Sequence, residues 1–342
     1  MSYSLGNIYL VFVVEFYGVF GMSNKQAKKN QHYVPQSYLR RFTVNGEKSL
    51  IWSFDKKANK FLKNTSSINK ICCEDYYYYQ LDEEGNINHT KLEDVISEIE
   101  KIGNDILNEI IGMSSMPYIS LQLEKKGRLA VYIGLMLTRG PAFRDAIHEM
   151  YGMLAKVGLR QLYESGKLDS MPVALKTLID DKGLEAVIQP SIHKIVSLEP
   201  MVQTAQGIGL SLLQKRWALW ASAEGSKFIT SDVPVVFQSK INNNVGPAHP
   251  TTELIFPISN KFCLIISPFS REEPIIFIQA CSNFQVLDIN KRILGAANSF
   301  VFCSEQHEWL LNLDEKEIGK GQKIVSGIER KGFNVIGNPF KK

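Results

Sequence analysis

The chain lacks the short motifs on which most enzyme assignments rest. It has no GxxxxGK[ST] phosphate loop, no GxGxxG, no GxSxG elbow and no EF-hand loop, which removes the motif-level case for ATPase, dinucleotide-dependent and α/β-hydrolase chemistry. Cysteine is scarce: Cys72, Cys73, Cys263, Cys281 and Cys303 include no CxxC pair. The adjacent Cys72 and Cys73 are poorly placed to form a disulfide, so a reducing, cytoplasmic location is expected. None of the six histidines stands in HExxH or HxE spacing, so neither a metal site nor a cofactor is expected. A long apolar run with a cationic start is also missing. Leu5 to Phe20 is interrupted by Glu15, has no Lys or Arg before it, and is short for a spanning helix. The expectation is that Met22 is the true start and that residues 1–21 are an upstream extension; a weak membrane anchor is the alternative. The rest of the chain offers no membrane partner.

At 342 residues with 44 % hydrophobic and 22 % charged residues, the composition is that of a folded globular protein. The net charge of +4 implies no nucleic-acid partner by itself, but the charge is unevenly placed. Ser23 to Lys70 carries eleven Lys and Arg against two acidic residues, and Ile71 to Gly112 carries eleven acidic residues against two basic. Two readings follow: a basic face for phosphates, or two neighbouring segments that neutralise one another.

The stretch richest in chemistry is QHYVPQSYLRRF, Gln31 to Phe42. Val34 precedes a proline and is biased to extended backbone, and Pro35 is preset for a first helical turn, so a short helix is expected to open at Pro35. His32 would then sit just ahead of a helix N-terminus, where the macrodipole favours a neutral ring. Helical spacing puts Tyr38 and Phe42 on one face and Arg41 beside Ser37, giving one apolar and one cationic side. His32 is either a hydrogen-bonding residue of the turn or part of a site.

HYVPQSYLRRF at 32–42, RGPAFR at 139–144, FITSDVPVVF at 228–237 and LIFPISNKFCLIISP at 254–268 closely resemble the proteins grouped under domain of unknown function 4238. The resemblance runs from about Asn30 to about Cys303. It implies a bacterial anti-phage defence protein, and it marks His32, Arg139, Ser231 and Asp232 as site candidates.

Periodicity divides the chain in three. Leu50 to Asn64 reads as a β-hairpin, and the tyrosines Tyr76 to Tyr79 as part of a further strand that turns at Glu84-Gly85, with alternate rings buried. Thr90 to Glu93 is a capping box that opens a long amphipathic helix with an acidic outer face. Leu121 to Thr138 is a second, more central helix, Ala142 to about Glu164 a third, and Ser191 to Gln214 a further one. The Arg139-Gly140-Pro141 turn fixes Arg139 and Arg144 at adjacent helix ends, as a phosphate or carboxylate clamp or in ion pairs with helix carboxylates. The last third is a series of short β-branched and aromatic runs, interrupted by Ser231-Asp232-Val233-Pro234, where Asp232 either caps a turn or orients a histidine or guanidinium. A final helix is expected at 290–298, followed by a strand at 299–303. The expected fold is α+β, with an antiparallel sheet of N-terminal and C-terminal strands packed against a central bundle of long helices. It would be a single domain over 22–305 with its helical middle at about 90–214, and 306–342 would be a polar, loosely packed C-terminal segment.

A histidine with arginines, tyrosines and an aspartate can cleave RNA phosphodiesters without a metal. In that scheme His32 is the acid/base, Arg139 and Arg144 clamp the phosphate, and Asp232 orients His32 or an arginine; Tyr38, Arg40, Arg41 and Ser231 would contact substrate. The alternative is a non-catalytic sensor in which the same residues bind a phage component or a nucleotide. Sequence alone leaves both open, with RNA or a phage component as partner.

Overall fold

The computed structural model describes residues 29–45, 47–81, 87–88, 91–167, 171–188, 192–240, 245–268, 275–313, 318, 321–322, 326–330 and 333–337. The expectations for residues 1–21, Met22, the Thr90 cap and the Glu84-Gly85 turn lie outside them.

The chain opens with β1 (Asn30–His32), the four-residue helix α1 (Gln36–Leu39) and a 3-10 turn (Arg40–Phe42). The hairpin β2 (Leu50–Asp55) and β3 (Lys60–Phe61) forms as its alternation predicts, followed by β4 (Ser66–Ser67), β5 (Cys73–Asp75), β6 (Gln80–Leu81) and β7 (Ile87–Asn88). The tyrosine run is not a strand. Tyr76 has a φ of +53° and turns the chain, so the two buried rings are the neighbours Tyr77 and Tyr78 rather than alternate residues.

The helical middle contains α2 (Lys91–Gly112), the short strand β8 (Tyr118–Ser120), α3 (Leu123–Thr138) and α4 (Pro141–Glu164). It continues through α5 (Val173–Lys182), α6 (Leu184–Val187), a 3-10 turn (Lys194–Ser197) and α7 (Leu198–Leu213). The expected helix from Ser191 is therefore a 3-10 turn leading into a true helix at Leu198. Helix α3 is buried almost all round, as its apolar composition requires. It lies against α7 at very close range: a Cβ on Gly134 would stand 2.2 Å from the Ala205 carbonyl oxygen, and one on Gly209 3.0 Å from the Val131 nitrogen. Glycine at both positions is what lets the two backbones approach.

The last third supplies β9 (Arg216–Ala221), β10 (Thr230–Ser231), β11 (Val236–Ser239), β12 (Thr252–Pro257), β13 (Phe262–Ser267) and β14 (Ile275–Ala280). Then come α8 (Asn283–Ala296), β15 (Phe300–Cys303), α9 (Glu308–Leu311) and the hairpin β16 (Ser326–Arg330) and β17 (Phe333–Gly337). Helix α8 begins well before the expected Asn290 because Ser282 and Gln285 form a reciprocal capping box.

Six strands form one sheet in the order β11-β12-β13-β9-β14-β8, antiparallel except for the parallel pair β14–β9. A second sheet runs β10-β15-β2-β3, with β4 also on β2, so strands from the two ends of the chain lie side by side. The fold is thus α+β, with the N-terminal hairpin joined to the C-terminal strands through β15. Alternate residues of the large sheet enter two cores. Trp217, Leu219, Leu254 and Phe256 face α3 and α7, whereas Val236, Ile255, Cys263 and Ile265 face α8. In the tail Gln322 is buried, accepts from the Phe237 N–H at 3.0 Å and donates to the Val235 carbonyl at 3.2 Å.

Candidate functional site

Strand β1 pairs antiparallel with β5, setting His32 opposite Cys73 and Gln31 opposite Glu74. Pro35 has φ −59° and ψ 138° and caps the helix instead of opening it, so α1 starts at Gln36. A single turn of helix has almost no macrodipole, so the expected reason for a neutral His32 does not hold. The direction nevertheless does: burial of the half-buried ring lowers its pKa, the Ile68 carbonyl opposes this, and the Arg139 charge adds to it. His32 Nε2 lies 3.3 Å from the Ile68 carbonyl oxygen, and Gln36 Nε2 lies 3.5 Å from Nδ1.

Arg139 caps the C-terminus of α3 and aims its guanidinium into the protein, where only 2 % of the residue is exposed. Nε donates to Tyr78 Oη at 3.0 Å, Nη1 to Glu100 Oε1 at 2.5 Å and Nη2 to the main-chain carbonyl of His32 at 2.5 Å. Tyr78 Oη donates to the same carbonyl at 3.2 Å. Burial alone would depress the guanidinium pKa, but Tyr78 and Glu100 together hold it above its ordinary value. Arg144 is closed in a similar way: its two terminal nitrogens each lie 3.1 Å from a Glu74 carboxylate oxygen, and the guanidinium sits 4.3 Å from the centre of the Tyr77 ring. Of the two readings of this turn, the structure supports ion pairs: Arg139 with Glu100 on α2, and Arg144 with Glu74 on β5 and, at 3.9 Å, with Asp145 on its own helix. A small cleft lies beside the two arginines, lined in part by Tyr77, Thr138, Phe143 and Met201, with room for about one water molecule.

Asp232 is committed to the turn between α8 and β15. Its carboxylate accepts N–H bonds from Asn298 at 2.9 Å, Ser299 at 2.7 Å and Phe300 at 3.2 Å. Burial raises its pKa, while these three donors and Lys56 pull it back. Lys56 donates to the neighbouring Ala297 carbonyl, and burial holds its pKa down to about 8. Ser231 Oγ is buried and closes its own turn on Val233. Tyr38 is buried with its hydroxyl 2.7 Å from both the Pro257 carbonyl and Thr230 Oγ1, and its ring stacks on Phe256. Arg41 is spent on α2, donating to Asn104 Oδ1 at 2.6 Å and Asn108 Oδ1 at 2.8 Å. Arg139 is thus joined to His32 through the main chain. Asp232 makes no hydrogen bond to either residue, although its charge reaches Tyr33 and helps burial push that hydroxyl up. Among the described residues no group of three His, Cys, Asp or Glu side chains is placed to hold a metal ion.

A family model described as "Protein of unknown function (DUF4238)" matches residues 30–307. The chain belongs to this family. No curated protein and no solved structure matches it. The DUF4238 match begins with the first residue of β1 and runs past β15, so it takes in both strands that tie the two ends of the chain together.

Sequence reasoning missed the partners that make the DUF4238 hub. Glu100 belongs to the helix expected to have an acidic outer face, yet it stands four residues after the buried Ile96, and that spacing marks it as facing inward. Gln31, which donates to Glu93 at 2.8 Å and accepts from the Tyr78 N–H at 2.6 Å, had no local signal.

The charge blocks are resolved in the same region of this DUF4238 chain. Among the described residues Glu74 pairs with Arg144, Glu100 with Arg139 and Glu109 with Lys125, all outside the basic opening, and Asp75 pairs with Lys29 inside it. Arg40, Lys48, Lys57, Lys60, Lys63 and Lys70 are all exposed and have no carboxylate partner among the described residues. Among the described residues Lys29–Asp75 is the ion pair that joins the two blocks, and these six cations face solvent. Among the described residues no helix is long and apolar enough to cross a membrane.

Proposed function

We propose that this chain is an anti-phage defence protein that recognises RNA through its basic opening. The observation that carries the reading is the set of six exposed cations, without a carboxylate partner among the described residues, on the 3-10 turn after α1, the β2–β3 hairpin and the turns that flank it. A phosphate backbone is the natural counter-charge for such a set. The defence role rests on the resemblance in the HYVP, RGPAFR and SDVP segments. Recognition is favoured over cleavage because Arg139, Arg144 and Asp232 are engaged in hydrogen bonds within the protein, which leaves His32 as the half-exposed acid/base of the candidate set.

The test is binding of a labelled single-stranded RNA followed against salt. Replacing Lys57, Lys60 and Lys63 together by Gln is expected to reduce the slope of log K against log salt by about 2, at roughly 0.7 per lost phosphate contact. An unchanged slope and affinity would refute the basic opening as the contact surface. The same samples are run on a denaturing gel: intact RNA supports recognition, whereas shortening that His32→Ala abolishes would replace it with cleavage.

A further inference from the structure

The large sheet has one face that is only half covered. On that side α8 packs over β11, β12 and β13, with Val286, Ile289 and Ile293 against Val236, Ile255 and Ile265, and the cover reaches as far as Trp220 on β9. Over β14 and β8 the same face is open. Phe277 of β14 is directly opposite Tyr118 of β8 and beside Ala218 of β9, so the two rings project from adjacent strands on one side. Phe277 is 38 % exposed and Tyr118 54 %. Arg216, two residues before Ala218 and therefore on the same face, holds its guanidinium 5.0 Å from the centre of the Phe277 ring. Exposed Ser120 and Gln279 share the face by the same alternation.

We propose that this open face is a base-stacking platform for single-stranded RNA, in which Tyr118 takes one base and the Phe277–Arg216 pair the next. This rests on the RNA reading above and names where the bases go. Rings on directly opposed residues have Cβ atoms about 5 Å apart, a separation that one nucleotide step can span. Exposed aromatic side chains and flat guanidiniums on a sheet surface stack bases whatever their sequence. Charge argues for RNA rather than a protein surface: Arg216 is exposed and has no carboxylate partner among the described residues. The polar Ser120 and Gln279 can meet base edges, which a dry protein contact would leave unpaired.

The experiment uses the full chain and a fluorescein-labelled single-stranded RNA of roughly 12 nucleotides, with anisotropy as readout and a duplex of the same sequence as competitor. Phe277→Leu, which keeps an apolar side chain and removes the ring, and Tyr118→Ala are each expected to weaken binding about tenfold. The salt slope is expected to stay unchanged, and the duplex is expected to compete poorly. Melting temperatures close to that of the parent protein, expected for exposed positions, show that the variants are folded. Variants that bind as tightly as the parent, while the Lys57, Lys60 and Lys63 replacement weakens binding, overturn the platform and leave the RNA reading standing. A parent protein that binds no RNA overturns both. A change in oligomeric state on Phe277→Leu, with RNA affinity unaltered, shows that the face is a contact between copies of the chain and also overturns the platform.

Discussion

Replacing Arg139 by methionine asks whether this guanidinium is a structural tie or a group free to serve a ligand. The substitution removes three donated bonds at once and leaves Glu100, whose side chain is 21 % exposed, without its counter-ion. Breaking one side of a buried pair costs about 3–5 kcal/mol. The His32 carbonyl and Tyr78 hydroxyl each lose one partner but keep their mutual bond, which adds little, and the methionine stem returns part of the packing, so about 4 kcal/mol is expected. At a urea m-value of roughly 3 kcal/mol/M this is a fall of about 1.3 M in the midpoint, followed by tryptophan fluorescence. The second half of the test is Glu100→Leu. In the parent protein it strands the Arg139 charge and destabilises; in the Arg139→Met background it removes a stranded carboxylate and restores about 2 kcal/mol. The reversal of sign is the diagnostic result. A loss below about 1 kcal/mol for Arg139→Met, or an equal cost of Glu100→Leu in both backgrounds, would refute the tie and return Arg139 to the pool of ligand-binding residues.

Gly134→Ala should destabilise by about 3 kcal/mol, because its new methyl meets the α7 backbone rather than a movable side chain; Gly209→Ala, with wider contacts, should cost less, and both are read as urea midpoints. The folded-state pKa of His32 lies below the unfolded value, so its contribution is complete above about pH 6.5 and is lost as pH falls through the folded value. His32→Gln should therefore flatten part of the decline in stability between about pH 7.5 and pH 5, with the similarly lowered His307 supplying another part; an unaltered pH profile would show that His32 titrates alike in both states. Lys215 donates to the carbonyls of His249, Pro250 and Thr252 and is held down to about 8 by burial. Between about pH 8 and pH 10.5 the unfolded chain binds more protons at this residue, so stability gains from rising pH, and Lys215→Met should remove that share of the gain while leaving the share due to Lys56.

The elements that were legible in the sequence are those whose signal is local. The β2–β3 hairpin follows from an alternating run that ends at a polar turn, and α4 starts at Pro141 because proline suits a first turn. The start of α8 carries a local signal too, Ser282 and Gln285 at capping-box spacing, set among β-branched and aromatic runs that read as strands. The tyrosine run misled because its shape is fixed by two residues at positive φ, Cys72 and Tyr76, which are neither glycine nor asparagine. The candidate residues were found by type, and their roles were not. Whether Arg139 holds a phosphate or a backbone carbonyl depends on where Glu100 and His32 end up, and those positions are 39 and 107 residues away in the chain.

The pairing of Asp55 with Phe300 has a consequence for the timing of synthesis. The neighbour that completes β2 is about 245 residues downstream, which at ribosomal rates of 5–20 residues per second is a wait of roughly 12–50 s. Until β15 emerges, the 50–55 strand keeps an unpaired edge, and β10 has no strand to join. A message cut short before codon 300 would therefore yield a chain unable to assemble the second sheet at either end, and the emergence of β15 is the event that lets the basic hairpin take its place.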